Sequence, residues 1–410
     1  MDDLPIGRRV AYWRGRRRMS QQVFADRLGK SKSWVDKVER GVRRLDKFSV
    51  INDIAQVLQI DPQLLLGRES DNNGVDAAGP SKPPEIAQIR AALECYDQVN
   101  AFLHASTEVP DLDEVKKSVS HAWLTYQHAK GGALIRILPR LLREAQVAAD
   151  AVHTNRQSAR EGAYLLAQVY QITSSALRNL GEYELAWLAA DRSLAMAQRI
   201  GHELLAGVAT FRIGMALLAM NRARSAMEVN ISVANRIAPT GQSATPGRLS
   251  VYGMLLLQGA MAAARLGDAA TVRDLLDEAE RAATEMGEDG NHYWSSFGPT
   301  NVQLHRVAAY VELGECRNAV ATHERLDQRG FANLVPERRV HHMLDVARGC
   351  VQLGDVDQAA ELLGEADRLA RDELRSRPAV RNLVGELMRR TNGDPPAPVC
   401  ELAEHMGIAQ

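Results

Sequence analysis

Between Gln21 and Arg44 the chain gathers side chains able to grip a polyanion and to read what it carries. Lys30, Lys32, Lys37, Arg40, Arg43 and Arg44 are cations, Gln21, Ser31 and Ser33 are short hydrogen-bonding groups, and Trp34 and Asp36 lie among them. Lysine and arginine neutralise phosphates, and short or basic side chains at the start of a helix reach base edges in the major groove. Lys32, Ser33, Asp36 and Lys37 fall on one face at helical spacing, the face a DNA-reading helix must present. Arg8, Arg9, Arg14, Arg16, Arg17, Arg18 and Lys47 raise the density of cations further. Trp34 reads as a packing or phosphate-contacting aromatic, not as a wedge between bases.

Two helices and a tight corner are needed to hold those residues. Across residues 20–41, SQQVFADRLGKSKSWVDKVERG, the first helix takes its apolar side from Val23, Phe24 and Leu28, and the second from Val35 and Val38. Gly29 stops the first helix and Ser31 caps the second. Ile6, Val10 and Trp13 predict a helix before them. Phe48, Ile51, Ile54, Ala55 and Leu58 predict one after, and Asp61-Pro62 starts a fifth, short helix running to Leu66. Gln21, Ala25, Leu28-Gly29, Ser31 and Val38-Glu39-Arg40-Gly41 together resemble the XRE family, the lambda-repressor-like helix-turn-helix domains. The resemblance implies a five-helix DNA-binding domain over residues 1–67, with Lys32, Ser33 and Lys37 reading bases, Gln21 gripping a phosphate, and Arg14 and Glu39 forming a buried pair.

A chain of 410 residues is too long for one core and predicts two or more domains. Its net charge of −1 conceals an asymmetry: residues 1–67 carry 14 Lys plus Arg against 8 Asp plus Glu, net +6, and the remainder is net −7. A basic head on an acidic body points to nucleic acid at the head alone. Cys95, Cys316, Cys350 and Cys400 form no CxxC pair, so neither a zinc site nor a disulfide framework is implied. The start lacks an apolar signal core and no stretch reads as a membrane span. These features predict a soluble cytoplasmic protein.

Residues 68–85, rich in Gly, Pro and polar side chains, read as a flexible linker. From there to 393 the pattern is helical, punctuated by Leu180-Gly181-Glu182, Met220-Asn221-Arg222, Leu266-Gly267-Asp268, Leu313-Gly314-Glu315 and Leu353-Gly354-Asp355, at spacings of 40, 46, 47 and 40 residues. A helix-breaking corner recurring at such intervals is the mark of a helical solenoid. Five hairpins are predicted, with a weaker one around Gly131-Gly132. Small residues at Ser174, Gly214, Ala260 and Ala347, with alanines at Ala186, Ala226, Ala319 and Ala359, let paired helices approach closely, and residues 394–410 read as a tail with its own short helix. The small positions resemble the tetratricopeptide repeat, whose usual unit is shorter, so longer helices are expected here. The fold class predicted is all-α: a helix-turn-helix domain linked to a right-handed tetratricopeptide-like solenoid.

The first helix of each hairpin lines the concave side of such a solenoid. The inward residues predicted are Gln168, Gln171, Ser175, Arg178, Asn179, Phe211, Met215, Met254, Met261, Asn301, Leu304, His341, Leu344 and Arg348. Amides can pair with an extended peptide, arginines can hold a carboxylate, and methionines with an aromatic form a pliable floor. Head, linker and repeats together resemble the RRNPP group of peptide-sensing regulators, which implies a homodimer that binds a double-stranded DNA operator and carries a peptide or small-molecule effector in its groove. An interaction scaffold recruiting a protein partner, with the head giving only loose DNA attachment, is the competing reading. His341-His342 followed by Asp345 could place two metal ligands one turn apart, but no third is spaced to join them, and no HExxH, GxxxxGK[ST] or GxSxG is present, so neither catalysis nor a cofactor is expected.

Overall fold

The computed structural model describes residues 6–17, 19–28, 30–43, 45, 48–58, 83–94, 110–150, 156–391 and 395–408. Among them there is no β-strand, and the chain divides into two compact units, Met1–Ser81 and Lys82–Gln410.

The first unit contains α1 (Ile6–Arg16), α2 (Gln21–Leu28), α3 (Lys32–Glu39) and α4 (Phe48–Leu58). Their core is Val10, Phe24, Ala25, Val35, Val38, Leu45, Ile51, Ile54, Ala55 and Leu58. Val23, expected on the apolar side of α2, is 44% exposed instead, because that helix turns Phe24 and Ala25 inward. The α2 terminus is closed by the Lys30 amide donating to the Ala25 carbonyl at 2.9 Å, which satisfies one of the carbonyls left over at the helix end. Ser31 then caps α3, its hydroxyl accepting from the Trp34 amide at 3.1 Å. Gly7 lets α1 lie against the end of α3: a Cβ there would stand 2.0 Å from the Val38 carbonyl oxygen. Arg18, Gly29, Arg44, Lys47 and the helix expected over 62–66 lie outside the described residues.

The second unit is a succession of hairpins. After α5 (Pro84–Glu94) come α6 (Leu112–Gln127) with α7 (Gly131–Asp150), α8 (Arg156–Asn179) with α9 (Tyr183–Arg199), and α10 (Glu203–Ala219) with α11 (Ala223–Ile237). Then follow α12 (Pro246–Leu266) with α13 (Ala269–Met286), α14 (Pro299–Leu313) with α15 (Cys316–Glu324), the short α16 (Gln328–Asn333), α17 (Pro336–Leu353) with α18 (Val356–Ser376), and finally α19 (Pro378–Arg390) and α20 (Ala397–His405). The five recurring corners share one backbone conformation, with positive φ at Gly181, Asn221, Gly267, Gly314 and Gly354. Asparagine tolerates that region better than other side chains, which is why the irregular Met220-Asn221-Arg222 turns like the rest. Within the hairpins the small residues are buried. Gly214 is so close to Asn230 that a Cβ would fall 1.9 Å from its side-chain nitrogen.

The described residues add detail to these expectations. The 40- to 47-residue units owe part of their length to insertions between hairpins, including a 3-10 turn at Gly241–Ser243 and the run 287–298, not to helix length alone. Linker character stops before Pro84, which opens α5 with Glu85 in its first turn, where proline's fixed φ and a carboxylate both suit a helix start. Residues 83–85 are the only linker positions described. The short helix of the tail, α20, starts at Ala397 and buries Val399, Leu402 and Ala403 in the same core as α17 and α18. Among the described residues one helix, α12, is long and apolar enough to cross a membrane, but 83% of its apolar window is buried among the other helices.

Candidate functional site

In the first unit, α3 buries Val35, Val38 and Glu39 and turns its other side outward. Lys30, Ser31, Lys32, Ser33 and Lys37 are exposed there, and Arg40 and Arg43 continue the basic surface past the helix end. Asp36 is tied to Arg40 at 2.8 Å, which spends one cation of the patch on an internal pair. Trp34 is half-buried against the domain core and lies under the Arg43 guanidinium, 5.9 Å from the ring centre. Its position is that of a packing aromatic that steadies a cation.

Behind α3 sits the polar anchor of the domain. Arg14 donates from Nε to Glu39 Oε1 at 2.6 Å and from Nη2 to Oε2 at 3.0 Å, while its Nη1 reaches the Met19 carbonyl at 2.6 Å. The two side chains are 17% and 6% exposed. Gln21 places its amide on Glu39 Oε2 at 2.8 Å. In this arrangement the Gln21 donor serves the internal network, and a phosphate would have to compete for it.

In the second unit the inward residues divide into three groups. Gln168 and Gln171 line a cavity of about 160 Å³ together with Tyr164, Leu205 and the run His292–Trp294. Gln171 is 2% exposed and its Nε2 has no acceptor. The wall formed by 292–294 is strained, with Tyr293, Trp294 and Ser296 all at positive φ near 50–60°, a conformation costly for bulky residues.

The second group is a polar centre. Glu337 accepts from Tyr126 Oη at 2.8 Å, pairs with Arg338 at 3.2 Å and meets His341 Nδ1 at 2.9 Å. Burial alone would raise this carboxyl, but Arg338, His341 and Arg377 outweigh it and hold it well below the usual carboxylate range. Glu373 pairs with Arg377 and accepts from Asn179 at 3.1 Å, and burial pushes its carboxyl up. Arg178 donates to the neighbouring Asn179 oxygen at 2.9 Å, and its Nε has no acceptor among the described residues. Asn301 is buried with an unpartnered Oδ1. His341, lowered to about 4 by burial and then by Arg377, is held neutral.

The third group is engaged in packing and ion pairing with its neighbours. Phe211 and Met254 are each 3% exposed and Met261 is packed against the same apolar core, so the methionine floor expected from the repeat pattern is filled by neighbouring helices. Met215 touches Arg212 through its sulfur at 3.8 Å. Arg348 is taken up by Glu312 at 2.6 Å and Asp345 at 3.3 Å, in a network that also holds Arg265. Among the described residues no group of His, Cys, Asp and Glu could hold a metal ion.

Arg212 is absent from the sequence-derived set. It is 2% exposed, its Nε has no acceptor, and its guanidinium lies over the Trp123 and Phe211 rings at 5.6 and 5.1 Å. A signal was available: from Leu204 to Ala219, LLAGVATFRIGMALLA, it is the only charged residue in an apolar helix.

Fold and basic surface together define a helix-turn-helix DNA-binding domain in the first unit. Residues 5–66 match the family model described as a helix-turn-helix domain. No curated protein matches the chain.

Proposed function

We propose that this protein is a sequence-specific transcription regulator whose repeat unit dimerises and senses a peptide or small molecule that modulates operator binding. The observation that carries the reading is the exposed face of α3. Lys32, Ser33 and Lys37 stand outward on a capped helix whose opposite face is buried, within the segment that matches a helix-turn-helix domain. Lys32, Ser33 and Lys37 contact base edges, and Lys30, Arg40, Arg43 and Arg44 contact phosphate. Pairing is required because one small head offers few base contacts, and two heads on adjacent half-sites multiply them. The second unit resembles tetratricopeptide-type sensors in its repeated hairpins, and its partly unsatisfied polar interior supports a ligand-binding role.

The test is selection of bound fragments from genomic DNA by the full-length protein at physiological salt, with and without an extract of the producing cells. A motif of two half-sites whose recovery changes with extract supports the reading. Binding without a motif and with a steep salt dependence replaces it with a scaffold that holds DNA loosely.

A further inference from the structure

The inner side of the repeat unit has more hydrogen-bond donors than it satisfies. Trp123 Nε1, Gln171 Nε2, Arg178 Nε and Arg212 Nε are all buried without an acceptor. On α8, Gln168, Gln171, Ser175 and Arg178 recur at helical spacing and so share a face that leads from the cavity toward the polar centre. Charge is unbalanced in the same sense. Around Tyr126, Arg178, Arg212 and Arg338 contribute positive charge and Glu337 negative charge, while Arg377 is paired with Glu373. His341 and His305, both lowered to about 4 by burial, add no charge near neutrality.

Arg212 is the group least accounted for. No carboxylate among the described residues lies within ion-pair reach of it, and its Nη1 has only the Met215 sulfur at 3.8 Å. Burial lowers it to about 10, still charged at neutral pH. A buried guanidinium left without a counter-ion is costly, and aromatic faces offset only part of that cost. Trp123 stands between Arg212 and the cavity wall: it lies under the Arg212 guanidinium and stacks on Trp294 at 5.7 Å, and Trp294 lines the cavity.

We propose that Arg178 and Arg212 form the binding site of a small oxyanion, the carboxylate or phosphate of an acidic effector, with Gln171 as a further donor on the same helix face as Arg178. An anion there supplies the missing counter-charge and the acceptors that the orphaned donors need. The assignment rests on the sensing role proposed above and narrows its ligand to an acid.

The test uses the full chain in a buffer free of oxyanions, with inorganic phosphate and succinate as separate probes and sodium chloride at matched ionic strength as control. One probe or the other raises the melting transition of the repeat unit by about 5 °C at roughly hundredfold excess over its Kd, and chloride does not. Which probe acts distinguishes a phosphate from a carboxylate ligand. Arg212→Met abolishes the shift and, lacking the unpaired charge, melts no lower than wild type without anion. Arg178→Met, at a less buried position, weakens probe affinity at least tenfold by calorimetric titration. Arg140→Met, on the outer surface, changes neither. No shift with either probe, or an equal shift in Arg212→Met, overturns the site. Operator binding that persists in that case leaves the regulator reading standing, whereas probe binding without any change in DNA affinity upholds the site and removes the sensing role.

Discussion

The phenol of Tyr126 donates to the Glu337 carboxylate at 2.8 Å in buried surroundings, although 211 positions separate them in the chain. Asn179 with Glu373, and Gln127 with Asn291, are further contacts of this kind. The hairpin series therefore curls until α6 meets α17, and the inner faces become an interior. Tyr126→Phe removes one donor and leaves Glu337 with Arg338 and His341. The expected cost is about 1–3 kcal/mol, read as a lower urea midpoint for the repeat unit. An unchanged midpoint would show that the closure does not depend on this bond.

Gly7→Ala is expected to damage the DNA-binding unit without altering any DNA-facing side chain. The added methyl would meet the Val38 carbonyl oxygen at 2.0 Å, and that atom belongs to the backbone of α3 and cannot rotate away. Relief requires α1 and α3 to separate, so the expected destabilisation is about 3 kcal/mol or more. Circular dichroism melting of the full chain would show the earlier transition shifted down with the later one in place. Identical melting would mean that the helices adjust freely.

How far the sequence could be read follows from where the physics is local. The five recurring helix corners announce themselves, since the residue that takes positive φ there is glycine in four and asparagine, at 221, in the fifth. The cap at Ser31 and the pair of Arg14 with Glu39 were legible through the family pattern. Closure of the hairpin series was not, because Tyr126 and Glu337 carry no local mark of their partnership. Nor did periodicity separate inward-facing from merely buried positions. Met254 obeys the inward spacing and lies in the core, whereas Arg212 adjoins a predicted position and was passed over despite its isolation in an apolar helix.

Arg14→Ala leaves Glu39 buried with only Gln21 as a donor. Removing one partner of a buried ion pair costs about 3–5 kcal/mol, much of it from the charge left behind. The first unit should lose its cooperative transition at 37 °C and operator binding with it, and Glu39→Gln in the same background should restore part of the loss. Failure of that second change to help would place the cost in lost packing instead.

Acid should weaken the repeat unit between about pH 6.5 and 4. His305 and His341 are lowered to about 4 and His342 to about 3, in each case first by burial, with Arg338, Arg377 and His323 respectively as the next cause. An unfolded imidazole titrates near 6.5, so over this range the unfolded chain binds protons that the native one refuses. Stability is present in full above about 6.5 and is lost as the pH falls toward 4. Asp345, raised to about 6 by burial, and Glu373, also raised, act in the opposite sense. The lowered histidines outnumber these two carboxyls and set the direction. Urea midpoints at pH 7.5, 6 and 4.5 should decline in order, and His342→Asn with His305→Gln should flatten the series. A flat wild-type series would show that the buried carboxylates cancel the effect.

Lys37→Ala tests whether α3 reads sequence. The side chain is exposed on the face opposite Val35 and Val38. Its removal should leave melting unchanged, because nothing in the domain depends on it for packing. Operator affinity should fall by about 1–3 kcal/mol, with preference relaxed at one position of each half-site. A phosphate contact would behave differently: binding to operator and random DNA would weaken equally, and the salt slope would drop by about one unit. Competition of labelled operator against random duplex, at two salt concentrations, separates these outcomes. Equal weakening on both DNAs would move Lys37 to the backbone and leave Lys32 and Ser33 as the base-reading candidates.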